Sequence, residues 1–172
     1  MPSPEHILFS CAGGQVLRPS TVLCDRADGG HLVVNPPRPV WERNGLHPSE
    51  LALWSLLVAA TGQAMLDRLP QLADACLNYW EAGNWALHTQ AEPVGPKNVQ
   101  AQRRVHLHVF GRSRTARHPD WQWGESPRFP LFSERLAWAS TLQALSDEEC
   151  AAIAQHCAAL FQTYRTQMGS AS

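Results

Sequence analysis

The sequence predicts an α+β fold, an antiparallel sheet of about five strands with a long helix on one face and a C-terminal helical extension. Three observations predict it. Short β-rich runs separated by turn signals fill the first part, a long amphipathic helical pattern follows near 48–68, and a cleanly alternating run lies at 105–110.

The first elements are read from Thr21-Val22-Leu23-Cys24 and His31-Leu32-Val33-Val34, which Asp28-Gly29-Gly30 separates with a strong turn signal. They are expected to form an antiparallel pair. After the Pro36-Pro37 break, His47-Pro48-Ser49-Glu50 puts proline at a first helical position and an acid in the first turn. Leu51, Trp54, Val58, Met65 and Leu69 then recur at helical spacing, and Pro70 ends the helix. A further strand is expected near Trp85-Ala86-Leu87-His88, with a loop at Pro93-Val94-Gly95-Pro96-Lys97. In Val105-His106-Leu107-His108-Val109-Phe110 the apolar positions Val105, Leu107 and Val109 face one way. Arg104, His106, His108 and Phe110 face the other, and Gly111 is read as the end of the strand. The region 113–130, with its prolines and with Trp121 and Trp123, reads as a loop packed down on the domain. Ser146-Asp147-Glu148-Glu149 is a capping-box pattern that opens a last helix through about Tyr164.

Bulk properties exclude several function classes. The 172 residues are enough for one domain with an appended segment, and 44% hydrophobic with 17% charged residues is a globular balance. Fourteen Lys and Arg against 15 Asp and Glu give no bulk attraction for nucleic acid or an anionic membrane, so any anion site must be local. The stretch 51–66 is broken by Ser55, Thr61, Gly62 and Gln63 and falls short of the ~20 apolar residues of a span, so a buried helix is expected. The start MPSPEHILFS shows no export signal. The five cysteines contain no C-x-x-C pair, which argues for reduced thiols and a cytoplasmic protein.

The candidate chemistry lies on the alternating strand. A strand that buries one face needs nothing special on the other, yet this one presents Arg104, His106 and His108 in a row. Two imidazoles about 7 Å apart can act as nucleophile and phosphate ligand, while a guanidinium offers a planar fork to phosphate oxygens. A solvated polar face is the plainer alternative. His-x-His can also chelate a metal, but two ligands without a third are too few, so no metal and no cofactor are expected. His88, His118 and His156 read as strand, loop and helix-surface residues, the tryptophans as core or interface anchors, and Cys76, Cys150 and Cys157 as small apolar groups.

The run Arg104-Val105-His106-Leu107-His108-Val109-Phe110-Gly111-Arg112 resembles the signature strand of histidine-triad (HIT) proteins, closest to their nucleoside phosphoramidase and dinucleoside polyphosphate hydrolase branches. Arg112 sets the register. In that register His106 matches the family's nucleophile and His108 the histidine that contacts the phosphoryl group, while Arg104 stands where the first histidine would be. A register slid by two would make His108 the nucleophile and misplace Arg112. Upstream, His31-Leu32-Val33-Val34-Asn35-Pro36 looks like the family's His-φ-φ-φ-φ-Pro segment, whose histidine reaches the active site. Asp25 resembles the acid that binds ribose hydroxyls, although an acid in that place also organises turns. The resemblance implies an Asn before the signature strand, a role open to Asn84 or Gln90. It also implies a polar contact to phosphate, open to Lys97 or Gln100.

It covers roughly residues 20 to 118. A nucleotide-binding part over 1–118 is therefore expected, with 119–172 as an extension packed on the same domain. The implied activity is cleavage of a nucleoside 5'-phosphoryl bond, in a phosphoramidate or a dinucleoside polyphosphate, through a nucleotidyl-histidine. The implied partners are a nucleotide, with a purine expected, and a second copy in a homodimer. A nucleotide-binding regulatory module with little turnover is the alternative, motivated by Arg104.

Overall fold

The computed structural model describes residues 5–170. The first four residues of the start examined for an export signal lie outside them. In chain order the elements are β1 His6–Cys11, β2 Gly14–Arg18, β3 His31–Asn35, α1 Pro48–Arg68, β4 Cys76–Ala82, the short α2 Val99–Gln102, β5 His106–Arg112, α3 Arg135–Ser140 and α4 Asp147–Ser170. The strands form a five-stranded antiparallel sheet in the order β1-β2-β3-β5-β4. The α+β architecture with its long helix and C-terminal helix is therefore as the sequence predicts.

Alternation decides what each face of the sheet does. Leu32 and Val34 of β3 and Leu107 and Val109 of β5 point into a core shared with Trp54, Leu57 and Met65 of α1 and Ile153, Cys157 and Phe161 of α4. The opposite face carries His31, His106, His108, Phe110 and Trp80, where Leu23, Cys24 and Trp121 form a second buried cluster with Phe110. By length and composition α1 is apolar enough to cross a bilayer, contrary to the reading of 51–66. Here its apolar side lies against the sheet and α4. Its start is built as a capping box on His47, where Glu50 accepts from the His47 N–H at 2.7 Å. Ser146 and Glu149 make the same reciprocal pair at the start of α4, at 3.2 and 2.8 Å.

Three local expectations are corrected. Thr21-Val22-Leu23-Cys24 is no strand, and β3 pairs instead with β2 and β5. The reason is that the Leu23 N–H and C=O are both taken by side chains, leaving no ladder for a partner strand. Trp85-Ala86-Leu87-His88 is not a strand either. The strand is Cys76–Ala82, and it stops because Gly83 turns to φ 140 with its backbone so close to Arg104 that a Cβ would lie 2.7 Å from the Arg104 carbonyl. A 3-10 turn over Asn84–Leu87 follows.

Gly111 does not end β5, which continues to Arg112. Its lack of a side chain serves another purpose. The loop through Gly29 crosses β5 here, so a Cβ on Gly111 would lie 2.2 Å from the Gly29 carbonyl oxygen, while the Gly111 N–H donates to the Gly30 carbonyl at 3.1 Å. Because the obstacle is backbone, Gly111→Ala is expected to cost about 3 kcal/mol or more, measured as a fall in the urea midpoint at unchanged slope. A variant as stable as the parent would show that the two backbones do not touch.

Candidate active site

The site begins with pairing between β3, β5 and β4. His31 lies opposite Phe110, Val33 opposite His108, and on the far side Trp80 opposite His108 and Ala82 opposite His106. His31 thus sits diagonally from His108 on one face, within side-chain reach. Their rings meet: His31 Nε2 is 2.8 Å from His108 Nδ1, and His108 Nε2 is 3.0 Å from His106 Nε2.

The two ends of this chain are main-chain groups whose roles are fixed. At one end the Leu23 N–H donates to His31 Nδ1 at 3.2 Å, and at the other His106 Nδ1 lies 2.9 Å from the Arg104 carbonyl. An amide can only donate and a carbonyl can only accept, so the neutral tautomers follow in sequence. His31 carries its proton on Nε2 and donates to His108 Nδ1. His108 carries its proton on Nε2 and donates to His106 Nε2. His106 then carries its proton on Nδ1, held by Arg104, and presents a lone pair on Nε2.

The surroundings keep the chain uncharged. His31, 2% exposed, stacks on Phe110 at 4.5 Å, and His108 stacks between Phe110 at 5.6 Å and Trp80 at 5.4 Å. Burial and the neighbouring imidazoles hold His31 well below the usual histidine range, and burial followed by His106 brings His108 down to about 3. His106 is also lowered, chiefly by burial. A row of neutral imidazoles, each a donor on one side and an acceptor on the other, is the consequence.

His106 and His108 form a wall shared by two clefts. The larger, about 510 Å³, is lined by Trp80, Trp85, Ala82, Gly83 and Leu23, with the amides of Asn84 and Gln102 and the rim residue Arg104. The smaller, about 170 Å³, is lined by Ser20, Thr21, Asn35 and Glu5 together with Leu23 and Trp85. A group bonded to His106 can therefore extend to either side.

Of the residues singled out in the sequence, the structure brings together His31, His106 and His108, with Arg104 and Asn84 at the larger cleft. Arg104 is exposed, and its guanidinium bonds the Gln100 and Arg103 carbonyls at 3.2 and 2.6 Å. Its main-chain carbonyl is what touches a histidine. Asp25, Lys97, Gln100 and Gln90 are not among the cleft residues. The Asp25 carboxylate accepts from the Ala27 and Gln143 amides at 2.8 and 2.7 Å, the turn-organising alternative, and the Lys97 ammonium donates to the Ala91 and Pro93 carbonyls at 2.6 and 2.5 Å. Sequence reasoning missed Trp80, Gln102 and the Leu23 amide. Trp80 was accessible through the period-2 pattern of β4, whereas a main-chain amide leaves no mark on the residue type. Among the described residues no cluster of three or more His, Cys, Asp or Glu side chains is arranged to hold a metal ion. The ring nitrogens of the trio already bond one another and the main chain.

In sequence comparisons no protein-family model and no curated protein matches the chain.

The depressed imidazoles make stability acid-sensitive. In the unfolded chain they take protons below the ordinary value of 6.5, but in the folded chain His108 resists until about 3, so the unfolded state binds more protons in between. The contribution of the neutral imidazoles is complete above about pH 6.5 and declines as pH falls toward about 3, each such histidine steepening the loss by up to about 1.4 kcal/mol per pH unit. Urea unfolding between about pH 7 and about pH 4.5 is expected to show this slope. His108→Phe is expected to flatten it, while lowering stability at neutral pH because His31 Nε2–H loses its acceptor. An unchanged acid slope in that variant would place the sensitivity elsewhere.

Proposed function

We propose that the chain is a nucleotide hydrolase or transferase of the histidine-triad type, cleaving a nucleoside 5'-phosphoryl bond with His106 as nucleophile. The observation that carries this reading is the direction of the imidazole chain. It leaves His106 neutral at ordinary pH with its lone pair on Nε2, at the wall common to two clefts. The resemblance of 104–112 and of 31–36 to the family's two histidine segments points the same way.

In the reaction His106 Nε2 forms a bond to the α-phosphorus as the bond from phosphorus to the leaving group breaks. The leaving group departs with the electron pair and is protonated by water. The phosphorylated ring is then cationic, and the Arg104 carbonyl that accepts from Nδ1–H stabilises that charge. Once His106 Nε2 is engaged, the His108 Nε2–H is released to a phosphoryl oxygen. Water next attacks phosphorus, returns His106 as neutral imidazole and gives up a proton to solvent.

His31 does not supply a proton in this scheme. Its Nδ1 accepts from a peptide N–H, so surrendering the Nε2 proton would leave an imidazolate. It holds His108 in the donating tautomer. The aromatic wall of Trp80 and Trp85 suits a stacked base or an apolar leaving group, and the hydroxyl and amide groups of Ser20, Thr21 and Asn35 suit a sugar.

The chain incubated with adenosine 5'-phosphoramidate and, separately, with diadenosine tetraphosphate is expected to release AMP from at least one and to yield an adenylylated histidine on acid-free quenching. Binding without either product would favour the regulatory module. His106→Ala is expected to abolish turnover while leaving nucleotide affinity within about tenfold, since it removes the attacking atom and few binding contacts. Full turnover in that variant would overturn the assignment. Arg104→Ala keeps the carbonyl that orients His106 and loses only an exposed guanidinium. Its turnover is expected within about threefold of the parent and its nucleotide affinity within about 1 kcal/mol. A large loss would give the Arg104 side chain the direct role that its backbone contacts argue against.

A further inference from the structure

The Leu23 amide pins one end of the imidazole chain, as the Arg104 carbonyl pins the other, yet the segment 19–25 that carries it belongs to no strand. Something outside the sheet must hold Leu23 in place, and its carbonyl, one Cα away from the N–H in the next peptide group, is where it is held. Four hydrogen bonds with groups beyond residue 118 tie down the segment. The indole N–H groups of Trp121 and Trp138 both donate to the Leu23 carbonyl, each at 3.2 Å. Two residues along, the Gln143 N–H donates to the Asp25 carboxylate at 2.7 Å and the Arg26 N–H to the Gln143 carbonyl at 2.8 Å.

We propose that Trp121 and Trp138 are positioning residues of the histidine relay: by occupying both lone pairs of the Leu23 carbonyl they keep the Leu23 N–H on His31 Nδ1, and so select the tautomers that leave His106 Nε2 as an acceptor. A tryptophan that only fills space has no need to aim its N–H. Here two rings, from different elements of the C-terminal segment, aim at one oxygen. Trp121 is held in that pose between Phe110 at 5.2 Å and the Arg112 guanidinium at 5.0 Å. Trp138 is held against His118 at 4.7 Å, and the His118 N–H is itself fixed by the buried Asp28 carboxylate at 3.0 Å. If either N–H is lost, the carbonyl keeps one donor and the segment gains freedom to rotate. His31 can then carry its proton on Nδ1 and accept at Nε2, and because the Arg104 carbonyl still holds the His106 Nδ1–H, the row is left with two lone pairs facing each other and its tautomers mix.

The expected effect on turnover rests on the catalytic reading above, whereas the expected effect on tautomers does not. The test uses the full chain with histidine labelled by nitrogen-15, in Trp138→Phe, Trp121→Phe and the double variant, each of which keeps an aromatic ring and removes the N–H. Three quantities are read: ring-nitrogen shifts of His31, His108 and His106, hydrogen exchange at the Leu23 amide, and steady-state rates with adenosine 5'-phosphoramidate. In each single variant Leu23 exchange is expected to quicken at least about tenfold and the ring shifts to move toward a tautomer mixture. A fall in kcat of about fivefold or more is expected, with KM within about twofold, and larger changes in the double variant. A folded Trp138→Phe protein with parental Leu23 exchange and parental ring shifts overturns the proposal, even if its Tm is lower, because that is the signature of packing alone. Where Trp121→Phe or the double variant fails to fold, the half-buried Trp138 decides on its own. A parent chain that turns over no nucleotide sinks the catalytic reading, while exchange and shifts still decide this one.

Discussion

The structure depends on one constraint: His31 and His108 are packed uncharged on aromatic rings and His106 closes the row beside them, so every ring nitrogen has to find a complementary partner. The solution is a one-way chain pinned by an amide at Leu23 and a carbonyl at Arg104. Neither end belongs to a side chain. The chemistry of the site is therefore coupled to the path of the backbone on both sides of the sheet face, more tightly than three histidines on neighbouring strands would suggest. Reversing any one ring would place donor against donor or acceptor against acceptor, and an unmatched buried pair is costly.

The need to hold that backbone accounts for the least regular parts of the fold. The loop 25–30 is drawn onto β5 by the contact of Gly29 with Gly111 and by the Ser113 N–H, which donates to the Asp28 carbonyl at 2.9 Å. Asp28 turns its buried carboxylate to the Arg117 and His118 amides at 2.7 and 3.0 Å. The chain leaving β5 is thereby tied to the chain entering β3. Arg112, 4% exposed, secures the next stretch by donating to the Gln122 and Glu125 carbonyls at 2.7 and 2.8 Å, while its Nη1 finds no acceptor. A guanidinium so enclosed is tolerated because its flat face lies over the Trp121 ring.

The two faces of the sheet divide the work. On one, α1 and α4 bury a continuous aliphatic core that gives the strands their register. On the other, Phe110 and Trp80 of the strands stack on the imidazoles, Phe129 and Trp121 from the irregular segment 113–140 pack behind them, and Leu23 of the segment 19–25 lines both clefts. The first face supplies rigidity, and the second uses it. A site whose donors must agree over several bonds needs strands that do not slip, because a slip of one residue would turn His106 and His108 into the helical core.

Much of this was legible in the sequence. The alternation at 105–110 assigned both faces of β5, the spacing of Leu51, Trp54, Val58, Met65 and Leu69 marked α1, and Ser146 with Glu149 marked the start of α4, because each pattern is a local consequence of backbone period or capping. His106 and His108 were also named from the sequence, since histidines facing away from a core are chemically conspicuous, and His31 was named from the resemblance of 31–36 to a histidine-triad segment. What the tertiary structure alone decided is how those residues are connected. That Leu23 supplies an amide, that Arg104 contributes its carbonyl and turns its side chain to other main-chain oxygens, and that Trp121 and Trp138 converge on one peptide are facts about main-chain groups and long-range approach. Main-chain donors and acceptors are the same at every residue, so residue type carries no record of which of them a fold will use. The place of Asp25 was decided in the same way, when the chain near Gln143 arrived more than a hundred residues later and took its carboxylate.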